Sequence, residues 1–134
     1  MANRYILDTH ALIWYLEGNP RLGNAAKAVM DDLASNLIFP IIGLAEAIDI
    51  VDKGRTNISS IKILLNRINR DNRIQIYPLT LAILKQSLVA GTVPEMHDRL
   101  IVSTALYFQS IGNQVAVLTK DNSIIASALV PVIW

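Results

Sequence analysis

The sequence predicts an α/β fold, a three-layer α/β/α sandwich around a mostly parallel central sheet. Short β-prone runs alternate with segments of helical periodicity along the whole chain. The runs are continuously apolar rather than alternating, as expected of strands covered on both faces. Two of them are followed closely by an aspartate that opens a helix, which places polar groups at the carboxyl edge of the sheet.

Arg4-Tyr5-Ile6-Leu7 is the first strand, ending at Asp8-Thr9, and Ala11 to Leu16 continues as a helix closed by Gly18-Asn19-Pro20. A second helix fits Asn24 to Ala34, and Leu37-Ile38-Phe39 reads as a buried strand ahead of Pro40. From Ile41 the period is helical again. Ile41, Leu44, Ala45, Ile48 and Val51 share one face, and Gly54 marks the end. Ser59 or Ser60 opens a helix to Asn69 with Ile61, Leu64, Leu65 and Ile68 as its apolar stripe. Ile74 to Tyr77 is a strand before Pro78, and Thr80 caps a helix from Leu81 to Leu88. Asp98 to Ser110 is a longer helix ending at Gly112, followed by the buried strand Val115 to Leu118. Asp121 to Leu129 makes one more helix. Val130 to Trp134 supplies a last edge strand, where Pro131 is tolerable.

With 134 residues, 52% of them hydrophobic, the chain is expected to form one domain, 1–134, with a sizeable core. Charges interrupt every apolar stretch short of the roughly 20 residues that span a membrane. No secretory signal pattern opens the sequence, so a cytoplasmic location is expected. Zero cysteines exclude disulfides and thiolate metal sites, leaving oxygen and imidazole as the available ligands. A net charge of +1, from 12 basic and 11 acidic residues, does not identify a nucleic-acid binder. Arg4, Lys53, Arg55, Arg67, Arg70, Arg73, Arg99 and Lys120 are the basic residues that would have to gather around an acidic site.

Four carboxylates stand out. Asp8 and Asp121 each open a helix just beyond a strand, and taken singly each reads as an N-cap. Asp98 shares a helix face with Ile101, Val102 and Ala105, a costly setting for a charge unless it is paired, hydrogen-bonded or bound to a cation. Glu46 lies off the main stripe of its helix but between Ile42 and Ile50, so a solvated and a functional reading stand side by side. Together the four would repel unless cations neutralised them, and hard oxygen ligands select magnesium or manganese. Such ions activate water and stabilise charge on phosphate, which makes phosphodiester hydrolysis the natural chemistry. His10 and His97 match no compact zinc spacing and read as a residue packed in the first helix turn and one near a helix start. Trp14, Tyr15 and Trp134 read as core or dimer contacts, and Asp31, Asp32, Asp49 and Asp52 as solvated.

Tyr5-Ile6-Leu7-Asp8-Thr9-His10-Ala11-Leu12-Ile13-Trp14 resembles the opening of PIN-domain proteins, particularly VapC-type toxin ribonucleases of type II toxin-antitoxin systems. The segment from Leu44 to Arg55 is similar to the helix that carries that family's acidic residue, with Glu46 at the matching position. Asp98 to Leu106 and Leu118 to Ile124 resemble its two later motifs, so the likeness runs nearly end to end. The resemblance implies an α/β/α sandwich, RNA cleavage dependent on Mg2+ or Mn2+, a cognate antitoxin and a homodimer. Asp8, Glu46, Asp98 and Asp121 carry over as the acidic quartet and Thr119 as a supporting residue. Glu95-Met96-His97 replaces a commoner Asp-Pro approach to Asp98, and Gly43-Leu44-Ala45 a Ser- or Trp-containing approach to Glu46. A PIN-like RNA- or protein-binding module with little turnover is the alternative. A haloacid-dehalogenase-like phosphatase would need a second aspartate where His10 stands.

Overall fold

The computed structural model describes residues 2–134; Met1 lies outside them. Five parallel strands form one sheet in the order β3-β2-β1-β4-β5. They are β1 (Arg4–Leu7), β2 (Leu37–Pro40), β3 (Ile74–Tyr77), β4 (Val115–Leu118) and β5 (Val132–Ile133). The helices are α1 (Thr9–Glu17), α2 (Asn24–Asp31), α3 (Ile41–Asp52), α4 (Ile61–Arg70), α5 (Leu81–Gln86), α6 (Met96–Ser110) and α7 (Asn122–Ser127). A short 3-10 turn, Ser87–Val89, follows α5.

The strand sequences explain why helices cover both faces. Successive side chains point to opposite sides of a sheet. Leu7, Leu37, Phe39 and Leu118 accordingly join the core built by α1 to α4, while Ile6, Ile38, Val115 and Val117 join that of α6 and α7. All eight are fully or almost fully buried, so neither face could be left open to water. Edge strand β3 is only partly covered. At the other edge the Pro131 carbonyl accepts from Val117 N at 2.9 Å, so Pro131 still contributes its acceptor beside β5.

Chain order reverses between β1 and β4. The chain leaves β1 for β2 and β3 on one side, then crosses through α6 to β4 on the other. Crevices at such a reversal, beyond the carboxyl ends, are where open α/β sheets bind ligands. Register Leu7↔Leu118 sets Asp8 beside Thr119 there.

Several boundaries differ from the sequence reading, each for a local reason. Helix α6 begins two residues earlier, because the Glu95 side chain caps it by accepting from Asp98 N at 2.9 Å. Helix α7 is shorter, ending where Ala128 enters the left-handed region. Helix α2 stops at Asp31, and the segment after Leu33 folds back through Ser35, whose hydroxyl donates to Val29 O. On α3 the buried residues are Gly43, Leu44, Ala47 and Val51, and Ile41 and Ala45 are exposed. On α4, Leu64 and Ile68 are buried and Leu65 is exposed. Among the described residues no helix is long and apolar enough to cross a membrane.

Gly43 is what lets α3 lie so close. A Cβ there would stand 2.8 Å from the ring of Phe39, which is wholly buried, and 3.3 Å from Thr9 Oγ1. Alanine would gain about 1 kcal/mol of helix propensity, against about 1–3 kcal/mol for overpacking a ring that has nowhere to go. Gly43→Ala is therefore expected to destabilise the protein by about 1 kcal/mol in urea unfolding; an unchanged or raised midpoint would show that Phe39 yields freely.

Candidate active site

Asp8 ends β1 and caps α1. Its Oδ1 accepts from Thr9 N at 2.6 Å, and its Oδ2 accepts from the Thr119 hydroxyl at 2.6 Å. Only 8% of the residue is exposed. Burial pushes the Asp8 carboxyl above the usual carboxylate range, and Glu46 adds to that, against the hydrogen bonds from Thr119 and Thr9 and the nearby His10. Thr119 is the joint of the site. Its oxygen also accepts from Asp121 N at 3.0 Å, so one hydroxyl orients the carboxylate after β1 and the backbone that carries the one after β4.

Asp121 caps α7. Its Oδ1 takes Ser123 N at 2.9 Å, Ser123 Oγ at 2.5 Å and Ile124 N at 3.1 Å. Burial works against its ionisation, but these donors outweigh it, and the carboxyl sits below its ordinary value.

Asp98, in the first turn of α6, behaves in the opposite way. Its pKa is pushed up to about 7, first by burial and then by Asp121, Asp8, Glu95 and Glu46. As its face-mates Ile101, Val102 and Ala105 led one to expect, all three are buried. When protonated, Asp98 donates to Asp121. Glu46, one helical turn beyond the close approach at Gly43, is half-buried and acts electrostatically on Asp8, Asp98 and His97. The sheet and two helices thus bring Asp8, Glu46 and Asp121 within electrostatic reach of Asp98.

Glu95, which the sequence marks only as a departure in the approach to Asp98, is a fifth acidic group that acts on it. It pairs with His97 Nδ1 at 2.7 Å, and this contact raises the histidine's pKa, as do Glu46 and Asp98. Glutamate is an uncommon N-cap, so the signal was confined to a carboxylate three residues ahead of Asp98. His10 also differs from expectation. It is exposed, with its ring 5.4 Å from that of Trp14. Trp14 is buried, and Tyr15 and Trp134 pack against the same core.

Most of the basic candidates serve elsewhere. Arg73 binds Asp71 and the carbonyls of Met30 and Asp32, Arg99 those of Val93 and Pro94, and Arg67 that of Leu16. Arg4 lies over Phe108, and Lys53 pairs with Asp49. Lys120 lines a cavity of about 430 Å³ with Asp8 and Asp121, and Arg55 lines another with Glu46.

The donors suit a hard divalent cation in kind: all are oxygen, and no salt bridge among the described residues uses any of the four. They are not a ready-made cage, since no three histidine or acidic groups among the described residues converge closely enough to hold an ion.

The chain belongs to the PIN domain family, whose sequence pattern matches residues 5–128. PIN domains are generally metal-dependent nucleases and usually bind divalent metals. The fold is similar to VapBC2 from Rickettsia felis, solved bound to a DNA fragment from their promoter, with 15% identity, a TM-score of 0.70, and 96% of each chain covered. It is similar as well to FitAcB from Neisseria gonorrhoeae, with 19% identity, a TM-score of 0.67, and 96% of this chain and 95% of that chain covered. A comparison with curated proteins gives no sequence match.

Two outcomes follow from this geometry. Thr119→Val leaves Asp8 short of a donor in a buried setting and should cost about 1–3 kcal/mol at pH 7. Thr119→Ser should restore most of it in the same denaturation series. For Asp98, the folded value near 7 lies above the ordinary 3.8, so the folded state binds the extra proton between those values and loses stability as pH rises through them. Discounted for solvent screening, this is about 1 kcal/mol. In EDTA at pH 8, Asp98→Asn should therefore melt about 2–6 °C above the parent, with the gap closing by pH 4; a lower melting point at pH 8 would contradict the repulsion.

Proposed function

We propose that this chain is a metal-dependent endoribonuclease, hydrolysing RNA phosphodiester bonds, and the toxin of a toxin-antitoxin pair. One observation carries the reading: Thr119 joins Asp8 after β1 to the backbone of Asp121 after β4 at the carboxyl edge, and Asp98, raised first by burial, is raised further by Asp121, Asp8, Glu95 and Glu46. Membership of the PIN family supports it. Asp8, Glu46, Asp98 and Asp121 would hold Mg2+ or Mn2+, which when bound supplies positive charge at the phosphate and acidifies water. Thr119 holds Asp8 in one orientation, and the Ser123 and Ile124 donors keep Asp121 ionised while leaving its Oδ2 free of those bonds. Asp98, whose proton affinity is raised by burial and its neighbours while no cation is bound, would be returned to its ionised form by one and would in that form accept a proton from attacking water. Hydrolysis forms a bond from that oxygen to phosphorus and breaks the bond to the departing nucleotide.

The likeness to VapBC2 supports a cognate antitoxin as partner. Leu81, Leu84, Leu88 and Val89 on α5 and the following turn expose apolar surface that supports a homodimer.

Purified protein incubated with total cellular RNA should cut it with magnesium or manganese and not with EDTA. Asp8→Asn and Asp98→Asn, each of confirmed folding, should lower the rate at least about 10²-fold. If the folded, antitoxin-free protein cuts nothing with either metal, the binding-module alternative takes its place.

A further inference from the structure

We infer that the cavity between α1 and the loop joining β4 to α7 is a subsite for one unpaired nucleotide beside the scissile phosphate, with Lys120 holding that nucleotide's phosphate. The inference rests on the nuclease reading above and names where the substrate strand lies.

The cavity, of about 430 Å³, opens directly beside Asp8 and Asp121. Aromatic rings form much of its wall: both tryptophans of the chain, Trp14 and Trp134, stand edge to face at 5.9 Å, and exposed His10 borders them. Lys120 is the one basic residue lining it, and its Nζ lies 4.6 Å above the Trp14 ring. A cation so placed is oriented by the ring while staying exposed. It adjoins Asp121, yet no salt bridge among the described residues engages it. An ammonium held off the carboxylates beside it is available to an anion. Trp14 is buried and carries Lys120 and Arg21 over its ring, so the rings left to a base are those of partly exposed Trp134 and exposed His10. With one cation outside any salt bridge among the described residues and an adjacent acidic centre, they match the parts of a nucleotide: a base to stack, a phosphate to pair, and a linkage to cut.

The groove does not stop at His10. It borders a second cavity, of about 340 Å³, lined by Arg21 and Arg55 and also by Glu46, Glu17 and Asp49. Among the described residues Lys120 is therefore the cation with no carboxylate partner at the proposed subsite, while Arg21 and Arg55 share their cavity with three carboxylates. The base must be unpaired to reach the ring walls, because the stacked interior of an A-form duplex offers no free face.

The test is fluorescence anisotropy with a short end-labelled single-stranded RNA, in magnesium, on an Asp98→Asn background to prevent cleavage, across a series of salt concentrations. Lys120→Met and Lys120→Gln should each weaken binding about fivefold and reduce the slope of log affinity against log salt by about 0.7. Lys120→Arg should restore both, and melting points should not change, since the side chain is exposed. Binding should also quench the intrinsic tryptophan emission, and Trp134→Phe should remove part of that quench. Unchanged affinity and slope in both Lys120 variants, with wild type still cutting RNA, overturns the subsite and leaves the nuclease standing. Duplex RNA of the same sequence bound as tightly overturns the unpaired nucleotide. A wild type that neither binds nor cuts RNA removes the nuclease reading and the subsite together.

Discussion

A carboxylate buried at the end of a central strand must find its hydrogen bonds inside the protein, and the organisation of this molecule follows from how Asp8 does so. One oxygen takes the first amide of α1; the other takes Thr119, 111 residues away in sequence. That second bond exists only if β4 lies beside β1 in parallel register, and Asp8 N donating to Leu118 O at 3.1 Å is the same pairing seen from the backbone. The β1–β4 junction is also where strand order reverses. A single polar contact therefore ties the late half of the chain to its first strand at the point where a crevice opens.

Around that contact, environment and not residue type assigns the carboxylates different roles. Asp121 has three donors on Oδ1 and stays ionised. Asp98 has hydrophobic face-mates and four like charges, and it holds its proton to about pH 7. Two titratable groups pushed apart by their surroundings are the pattern by which a site assigns acid and base duties. The cost appears as lost stability when no cation is present, since like charges in a partly buried site oppose the fold that assembles them.

Much of this was legible in the sequence, and the residues show why some of it was not. Continuous apolar runs gave the parallel sheet because Leu7 and Ile6, or Phe39 and Ile38, must each be buried on opposite faces. The cap and site readings of Asp8 and Asp121 looked like rivals, but a carboxylate has two oxygens, and at Asp121 all three capping bonds use Oδ1. What escaped was carried by small or unusual residues. Apolar periodicity placed Ile41, Leu44, Ala45, Ile48 and Val51 on the inner face of α3; Leu44 and Val51 are buried there, but Gly43 and Ala47 take the places of Ile41 and Ala45, contributing by what they lack. Glu95 escaped as a cap because glutamate rarely caps a helix, and His10 because a helix-start position says little about which way a ring turns.

The basic residues carry a last consequence. A net charge near neutrality left open whether cations gather at the acidic edge, and most of those considered do not: Arg73, Arg99 and Arg67 are spent on carbonyls that turns and helix ends leave unpaired. Lys120, with Arg21 and Arg55 beyond His10, remains at the groove. A groove with so few cations would, under the proposed function, gain little from long-range attraction, because each phosphate contact adds only one increment to the salt-dependent part of binding. Under the proposed function, discrimination must then come from short-range fit at the cavity walls and from the acidic centre itself. Such a site selects exposed, single-stranded stretches of a folded RNA over its helices, since only there can a base leave its stack at low cost.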